Sequence, residues 1–172
     1  LDRVRSVAHQ MELLPLPCRS VIVAGTNGKG STCIALEAVL RAMGARVGTT
    51  LSPHLSRFNE RIRIDGVACD DATLCAGLSE IEAARGDVPL TYFEFSALLA
   101  LGCFRRAQVD IAVLEIGLGG RLDAFNVVDA DIAVVTSIGL DHADYLGESL
   151  EGIGLEKAGV FRPNQPVVIS EM

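Results

Sequence analysis

A short glycine-rich segment contains the residue types that point most directly to chemistry in this 172-residue sequence. It runs from Gly25 to Thr32, after the apolar residues 21–24 and before a helix predicted for residues 33–43. Glycines allow several backbone N–H groups to converge on an anion, and a helix N-terminus adds positive potential. A lysine reaches the outer phosphates of a nucleotide, and a following hydroxyl binds Mg²⁺. The segment therefore predicts a phosphate-binding loop, whose binding residues are Thr26, Asn27, Gly28, Lys29, Gly30, Ser31 and Thr32.

The loop differs from the usual G-x-x-x-x-G-K-[ST] pattern in two ways. Its turn is shorter, and Gly30 separates Lys29 from the hydroxyl of Ser31. Taken alone, the loop is compatible with a kinase, a GTPase or a transporter ATPase. The rest of the chain must decide between these classes.

The elements around the loop predict an α/β fold. Uniformly apolar strands alternate with helices, which is typical of a mostly parallel sheet that helices cover on both faces. Asp65-Gly66, inside an alternating segment, also predicts a small β-hairpin flap beside that sheet. The predicted strands cover residues 21–24, 45–51, 61–69 as the hairpin, 110–115, 131–137 and 166–170. The predicted helices cover residues 1–14, 33–43, 70 or 71 to 84, 93–106 and 150–158.

Polar residues follow three of the predicted strands, at the edge of a parallel sheet where ligands bind. Glu115 closes one strand, in the position of an acid that holds Mg²⁺ opposite a phosphate loop. Ser52 to His54 follow a second strand, and Asp141 with His142 follow a third. A strand-end glutamate is often only a solvated or cap-binding carboxylate, and a lone histidine is more often structural, which is our interpretation of His54.

Composition excludes several classes of function. With a net charge of −7 and no cluster of Lys or Arg, the chain is not expected to bind nucleic acid. Its longest apolar runs hold five or six residues, against about 20 for a membrane span, so no membrane association is expected. The five cysteines contain no C-x-x-C pair and favour small buried hydrophobic residues over disulfides or zinc ligands. A single cytoplasmic domain is expected.

Several motifs, in order along nearly the whole chain, resemble the folylpolyglutamate synthase/dihydrofolate synthase family of Mur-type ATP-dependent ligases. The order Lys29-Gly30-Ser31 is similar to the folate branch, whereas muramyl peptide ligases place Ser or Thr directly after the lysine. The motifs are Ala24 to Thr32, Ser52-Pro53-His54-Leu55, Phe58-Asn59-Glu60-Arg61, Thr91-Tyr92-Phe93-Glu94, Glu115 to Ala124, Leu140-Asp141-His142, Leu146-Gly147 and Glu156-Lys157-Ala158-Gly159.

The resemblance implies the P-loop NTPase-like central domain of a Mur ligase. Residues 1–172 are then the N-terminal ATP-binding domain of a longer enzyme, whose glutamate-binding C-terminal domain lies outside this chain, and the fragment alone is expected to be inactive. In that family ATP phosphorylates a carboxylate of a pteroate or folate, and L-glutamate displaces the phosphate. The full-length protein is expected to be a monomer that binds only small molecules.

The resemblance also assigns residues to the site, with ATP and Mg²⁺ as cofactors. Lys29, His142 and Lys157 are implied to be catalytic, and Lys157 matches a lysine that the family carbamylates. Ser31 or Thr32 is implied to bind the first Mg²⁺. The implied metal ligands are Ser31, Ser52, Glu115 and His142, and the implied substrate contacts are Thr91, Tyr92, Phe93, Glu94, Leu122, Asp123 and Ala124.

Some alternatives stay open at this point. Phe125 stands where the family usually has Thr, so its ring either changes the pocket or packs inward. Lys157 is compatible with an ordinary surface lysine, and Arg121 with Asp123 is compatible with a local ion pair. The chain as a whole is also compatible with a non-catalytic nucleotide-binding fragment or with a muramyl-type ligase domain.

Overall fold

Residues 1–140 and 149–170 are described by the computed structural model, and in them seven strands form one sheet in the order β4-β3-β2-β5-β1-β6-β7. His142 and Asp141 lie outside the described residues. The strands are β1 (Arg19–Ala24), β2 (Val47–Thr50), β3 (Ile62–Ile64), β4 (Val67–Ala68), β5 (Ile111–Glu115), β6 (Ile132–Val135) and β7 (Val167–Ile169). The helices are α1 (Asp2–Gln10), α2 (Lys29–Ala42), α3 (Asp71–Arg85), α4 (Tyr92–Ala107) and α5 (Leu150–Ala158), with 3₁₀ turns at Phe58–Arg61 and Ala124–Val127.

The five strands β2, β5, β1, β6 and β7 run parallel, as the apolar patterns predict. Their side chains alternate between two buried faces. In β1, Ile22 and Ala24 enter a large core with α1, α3 and α4, whereas Val21 and Val23 enter a smaller core with α2. Helices therefore cover both faces of the sheet, and the predicted fold class is confirmed.

The predicted hairpin is confirmed and forms one edge of this sheet. Asp65 and Gly66 adopt left-handed conformations, with φ of 49° and 80°, which is the turn that Asp-Gly favours between antiparallel strands. β3 pairs antiparallel with β2, so the hairpin continues the main sheet instead of standing beside it.

Two helix boundaries differ from the sequence prediction by four residues, for local backbone reasons. The helix after the phosphate loop begins at Lys29, four residues before the predicted Cys33, because Gly28 is its N-cap with φ of 82°. The first helix ends at Gln10 instead of Leu14, since Glu12 takes a left-handed conformation with φ of 55°. By contrast, Asp70 caps α3 through the N–H of Thr73, and α5 has the predicted bounds.

Two further expectations concern burial and membranes. Cys33, Cys69 and Cys103 are buried thiols, as expected, whereas Cys18 is half-buried and Cys75 is exposed. Within the described ranges, no helix combines the length and the apolarity that crossing a bilayer requires.

A matched pair of glycine substitutions tests this packing. A Cβ at Gly48 in β2 would lie 2.5 Å from the buried ring of Phe104, so Gly48→Ala is expected to destabilise the fold by about 1–3 kcal/mol. A Cβ at Gly102 in α4 meets no atom within 4 Å, so Gly102→Ala is expected to stabilise it by roughly 0.5–1 kcal/mol. Urea unfolding followed by circular dichroism measures both, and equal midpoints for the two variants would contradict the packing described.

Candidate functional site

The phosphate-binding loop lies at the carboxyl end of β1, between the ends of β5 and β6. Gly25 and Gly28 have φ of 149° and 82°, conformations that side-chain-bearing residues rarely adopt. Because α2 begins at Lys29, the free N–H groups of its first turn stand at the end of this loop. The structure thus places the predicted loop where a helix N-terminus and glycine amides converge.

Hydroxyl groups that follow β6 hold the loop in place. Thr136 Oγ1 donates to the carbonyl oxygen of Asn27 at 2.6 Å, and Ser137 Oγ accepts from the N–H of Asn27 at 3.0 Å. Thr26 Oγ1 accepts from the N–H of Gly139 at 3.0 Å and donates to its carbonyl at 3.1 Å. Sequence reasoning did not select Thr136 or Ser137, although paired hydroxyl residues after a strand that neighbours β1 are a usable signal.

Two lysine ammonium groups converge on one carbonyl oxygen of the loop. Lys29 Nζ donates to Gly25 O at 2.9 Å and to Thr26 O at 3.2 Å, and Lys157 Nζ donates to Gly25 O at 2.9 Å. Lys157 is 3% exposed, so the alternative of a solvated surface lysine is wrong. The structure therefore brings α5 against the phosphate loop through a buried positive charge.

Glu115 is buried at the end of β5, beside the first turn of α2. Its Oε2 accepts from the N–H of Ser52 at 2.6 Å, and Oε1 lies 3.5 Å from where a Cβ at Gly30 would stand. Burial raises the pKa of Glu115 above its usual range, although the N–H of Ser52 and the charge of Lys29 act against that shift. The alternative of a solvated carboxylate is wrong, because Glu115 is 3% exposed.

A cavity of about 560 Å³ joins the predicted metal-binding residues of the described chain. Ser31, Ser52 and Glu115 line it together with Gly30, whereas Thr32 does not. In the part of the chain that the structure describes, no three His, Cys, Asp or Glu side chains form a cluster suited to a metal ion. Two hydroxyls and one buried carboxylate do suit Mg²⁺, which in nucleotide sites takes one or two carboxylates and completes its octahedron with waters and phosphates.

A second cavity, of about 720 Å³, collects the predicted substrate-binding segments. Thr91, Phe93 and Glu94 line it together with Leu122, Asp123 and Ala124. Tyr92 is the exception, because its ring packs edge-on against Phe58, with the centroids 6.0 Å apart. The wall shared with the first cavity contains Ser52 and Pro53, which line both.

Several of these residues also stabilise the local fold. Thr91 and Glu94 form a capping box at the start of α4, and Glu94 is paired with Arg3 at 3.3 Å. Phe125 is 4% exposed and packs edge-on against Phe93 at 5.8 Å, so the ring packs inward instead of entering the pocket. Arg3, which lines the second cavity, carried no signal in the sequence.

The alternative of a local ion pair between Arg121 and Asp123 is wrong. Arg121 donates to Glu156 instead, at 2.6 Å, and thereby links the loop after β5 to α5. Asp123 accepts hydrogen bonds from the backbone N–H groups of Gly117, Leu118 and Phe125. Burial nevertheless raises the pKa of the Asp123 carboxyl to about 6, since the three N–H groups only partly replace water.

Comparison with known proteins confirms the resemblance that the motifs predict. Residues 23–170 match the Mur ligase middle domain family. The chain is 53% identical over 171 residues to the dihydrofolate synthase/folylpolyglutamate synthase of Escherichia coli (strain K12), and the alignment covers 99% of this chain and 40% of that protein. It is 38% identical to a folylpolyglutamate synthase of Arabidopsis thaliana, covering 96% of this chain and 28% of that protein.

Solved structures agree with this fold. FolC of E. coli in complex with DHPP and ADP superposes with a TM-score of 0.96 at 54% identity, covering 98% of this chain and 41% of that chain. A bifunctional folylpolyglutamate synthase/dihydrofolate synthase with Mn, AMPPNP and L-glutamate bound gives a TM-score of 0.94 at 55% identity, covering 98% and 42%. The chain therefore spans about two fifths of the length of these relatives.

The raised pKa of Asp123 predicts a specific dependence of stability on pH. An acid whose folded pKa lies above its unfolded value of 3.8 weakens the fold as the pH rises from about 4 to about 6. The free energy of unfolding, compared with that of Asp123→Asn, should fall by about 3 kcal/mol across this interval, since each pH unit between the two pKa values is worth about 1.4 kcal/mol. Urea unfolding of both proteins between pH 4 and pH 7 measures the difference.

Asp70→Asn provides a control of opposite sign. The N–H of Thr73 lowers the pKa of Asp70. The Asp70 carboxylate therefore stabilises the fold at a pH above its unfolded pKa, and this stabilisation is lost as the pH falls. A constant difference between the parent chain and Asp123→Asn over the whole interval would contradict the assignment for Asp123.

Proposed function

We propose, because the chain belongs to the Mur ligase middle domain family, that it is the ATP-binding domain of a ligase that joins L-glutamate to a pteroate or folate carboxylate. The 53% identity to a dihydrofolate synthase/folylpolyglutamate synthase supports this choice within the family. The chain covers 40% of that relative, so the activity of the whole enzyme is part of the proposal, as is a glutamate-binding domain elsewhere in it. A cytoplasmic, monomeric full-length protein belongs to the same proposal.

The observation that supports the reaction best is the meeting of two cavities at Ser52-Pro53. The 560 Å³ cavity lies beside the phosphate loop, and the 720 Å³ cavity contains the predicted substrate segments. A carboxylate at the end of a substrate in the second cavity would meet a triphosphate held in the first one where the two cavities adjoin. That is the approach which transfer of a phosphoryl group to a carboxylate requires.

The chemistry of the proposed reaction explains why ATP and the substrate carboxylate must be brought together. A carboxylate is a poor electrophile, because the leaving group would be an oxide. When its oxygen attacks the γ-phosphorus of ATP, ADP leaves and an acyl phosphate forms. The amine of glutamate then attacks the acyl carbon, the amide bond forms as phosphate leaves, and the amine loses its proton.

The residues of the loop and the strand ends would serve the first step. The N–H groups between Thr26 and Gly30 and the ammonium group of Lys29 hold phosphate oxygens in place, which offsets the repulsion between two anions. Ser31, Ser52 and Glu115 would provide oxygen ligands for Mg²⁺, and the resemblance adds a nitrogen ligand from His142. Mg²⁺, when bound, neutralises charge on the phosphates.

Lys157 fits the proposed carbamate because of what surrounds it. Its ammonium group shares Gly25 O with that of Lys29, and two like charges held at one acceptor repel each other. Reaction of the neutral amine with CO₂ forms a carbamate anion and releases a proton. This change would replace the repulsion from Lys29 by attraction and would add an anionic oxygen donor next to the phosphate loop.

Carbamylation of Lys157 has a direct spectroscopic test. The full-length protein in ¹³C-bicarbonate should show one carbamate carbon resonance that is lost in Lys157→Arg, because the guanidinium does not form the adduct. Lys29→Arg is the matched control and should retain the resonance. Absence of a resonance that depends on Lys157 would remove the carbamate from the proposal.

A muramyl-type ligase and a non-catalytic nucleotide-binding module are the alternatives. Gly30 between Lys29 and Ser31 disfavours the muramyl branch. The non-catalytic module is disfavoured by burial of Lys157 and Glu115 around the loop, because buried charged groups destabilise a fold and have no structural need to meet there.

A substrate panel decides between these functions. The full-length enzyme should release phosphate from Mg-ATP only when L-glutamate is present together with dihydropteroate or tetrahydrofolate, and muramyl peptides should give no release. The activity should fall by about 100- to 1000-fold in Lys29→Gln, in the range found when one charge-stabilising group is removed from an active site. Release with muramyl peptides alone, or with no acceptor at all, would reject the folate assignment.

A further inference from the structure

The Phe58–Arg61 segment is the motif to which the proposed function assigns no role. It forms a 3₁₀ turn directly before β3, at the rim of the 720 Å³ cavity. The carboxylate of Glu60 accepts from the N–H groups of Leu55, Ser56 and Arg57 at 2.7–2.9 Å. These three hydrogen bonds fix the loop after Ser52-Pro53 and so determine where the side chain of Arg61 begins.

The guanidinium of Arg61 is held in one orientation by three aromatic side chains. Its Nε donates to Nδ1 of His54 at 2.8 Å, and its Cζ lies 5.5 Å from the ring centroid of Tyr92 and 5.9 Å from that of Phe58. These contacts occupy Nε and the faces of the guanidinium. Within residues 1–140 and 149–170, Nη1 and Nη2 of Arg61 donate to no acceptor.

Arg61 lies beside the residues that the two cavities of the site share. It lines the 720 Å³ cavity beside Ser52 and Pro53. It also lines a small cavity that Ser52 and Glu115 share with it. The cation therefore stands between the substrate segments and the acid at the end of β5.

The other charged side chains that line the substrate cavity have partners among the described residues. Arg3 donates through Nη2 to Glu94, whose second oxygen accepts from the N–H of Thr91. Glu156 is paired with Arg121, and Asp123 is held by three backbone N–H groups. Of the two arginines that line this cavity, Arg61 is the one with no carboxylate partner in residues 1–140 and 149–170. Its Nη1 and Nη2 form a fork that fits the two oxygens of a carboxylate.

We propose that Arg61 binds the carboxylate of the pteroate or folate substrate that is to be phosphorylated, through Nη1 and Nη2. This inference rests on the proposed function and names the group that recognises the reacting end of the substrate. The ion pair offsets the repulsion between this carboxylate and the triphosphate before attack. His54, Phe58 and Tyr92 act as positioning residues, since they hold the guanidinium and none of the three lines the 720 Å³ cavity.

The test compares two ligands that differ only at the reacting group, dihydropteroate and its carboxamide, in the full-length enzyme. Arg61→Gln should raise the dissociation constant of dihydropteroate about 10- to 100-fold, as expected for loss of a charge-assisted pair, and should leave that of the carboxamide unchanged. The KM for ATP should also stay unchanged. Arg57→Gln is the matched control, because Arg57 lies in the same turn but donates to exposed Asp71, and it should alter neither constant.

Each outcome leads to a decision. If wild type ligates dihydropteroate but Arg61→Gln keeps its preference for the carboxylate over the carboxamide, the role of Arg61 is rejected and the proposed function stands. Equal loss of affinity for both ligands would show a purely structural role of Arg61 and would also reject the proposal.

Arg61→Lys covers the case in which the glutamine variant misfolds. It keeps the charge but not the fork, so it should retain only part of the wild-type preference for the carboxylate. A folded lysine variant with the same preference as wild type would overturn the proposal. No ligation of any pterin by wild type would reject the proposed function itself.

Discussion

The carbonyl oxygen of Gly25 is the point on which the geometry of the site depends. It accepts from Lys29, which belongs to α2, and from Lys157, which belongs to α5. Hydroxyl groups after β6 fix the neighbouring Asn27. Two segments that are distant in sequence, the stretch after β6 and α5, are therefore tied to one short loop and to the start of α2 that follows it. Backbone N–H groups held in fixed positions are effective toward a charged ligand.

The order of the strands explains why the chemistry collects at one edge. β5 lies between β1 and β2, so Glu115 at its end stands between the phosphate loop and Ser52. Parallel strands all present their carboxyl ends on the same side, and each loop starts from that side. Ser52 and Pro53 then line both the 560 Å³ cavity and the 720 Å³ cavity. A different strand order would place the same residues too far apart to cooperate.

Local signals in the sequence predicted the scaffold well. Apolar runs predicted the parallel strands, Asp65-Gly66 predicted the hairpin, and Asp70 or Asp71 predicted the start of α3, because each depends on a few neighbouring residues. The start of α2 was missed, since a glycine N-cap resembles the loop that precedes it. The strand-end rule located Glu115 and Ser52 without any knowledge of side-chain contacts.

The remaining parts of the site depend on contacts that a sequence does not display. Burial of Lys157, pairing of Arg121 with Glu156 instead of Asp123, and the bracing hydroxyls of Thr136 and Ser137 join residues more than 30 positions apart. Residue type and spacing alone did not select Lys157, which was predicted only from the family resemblance. For Arg61 the motif itself was visible, but its orientation follows from Tyr92, which lies beyond the whole of α3.

The buried carboxylates of the site are held by backbone N–H groups. Glu115 and Asp123 are both buried, and each accepts backbone N–H groups instead of pairing with a described cation. N–H donors satisfy a carboxylate without cancelling its charge, so a pKa raised by burial persists. The ionised form of a buried carboxylate without a paired cation is stabilised when a cation binds, which suits Glu115 for a metal ion. Had Arg61 been paired with Glu115, neither group would be available to its proposed ligand.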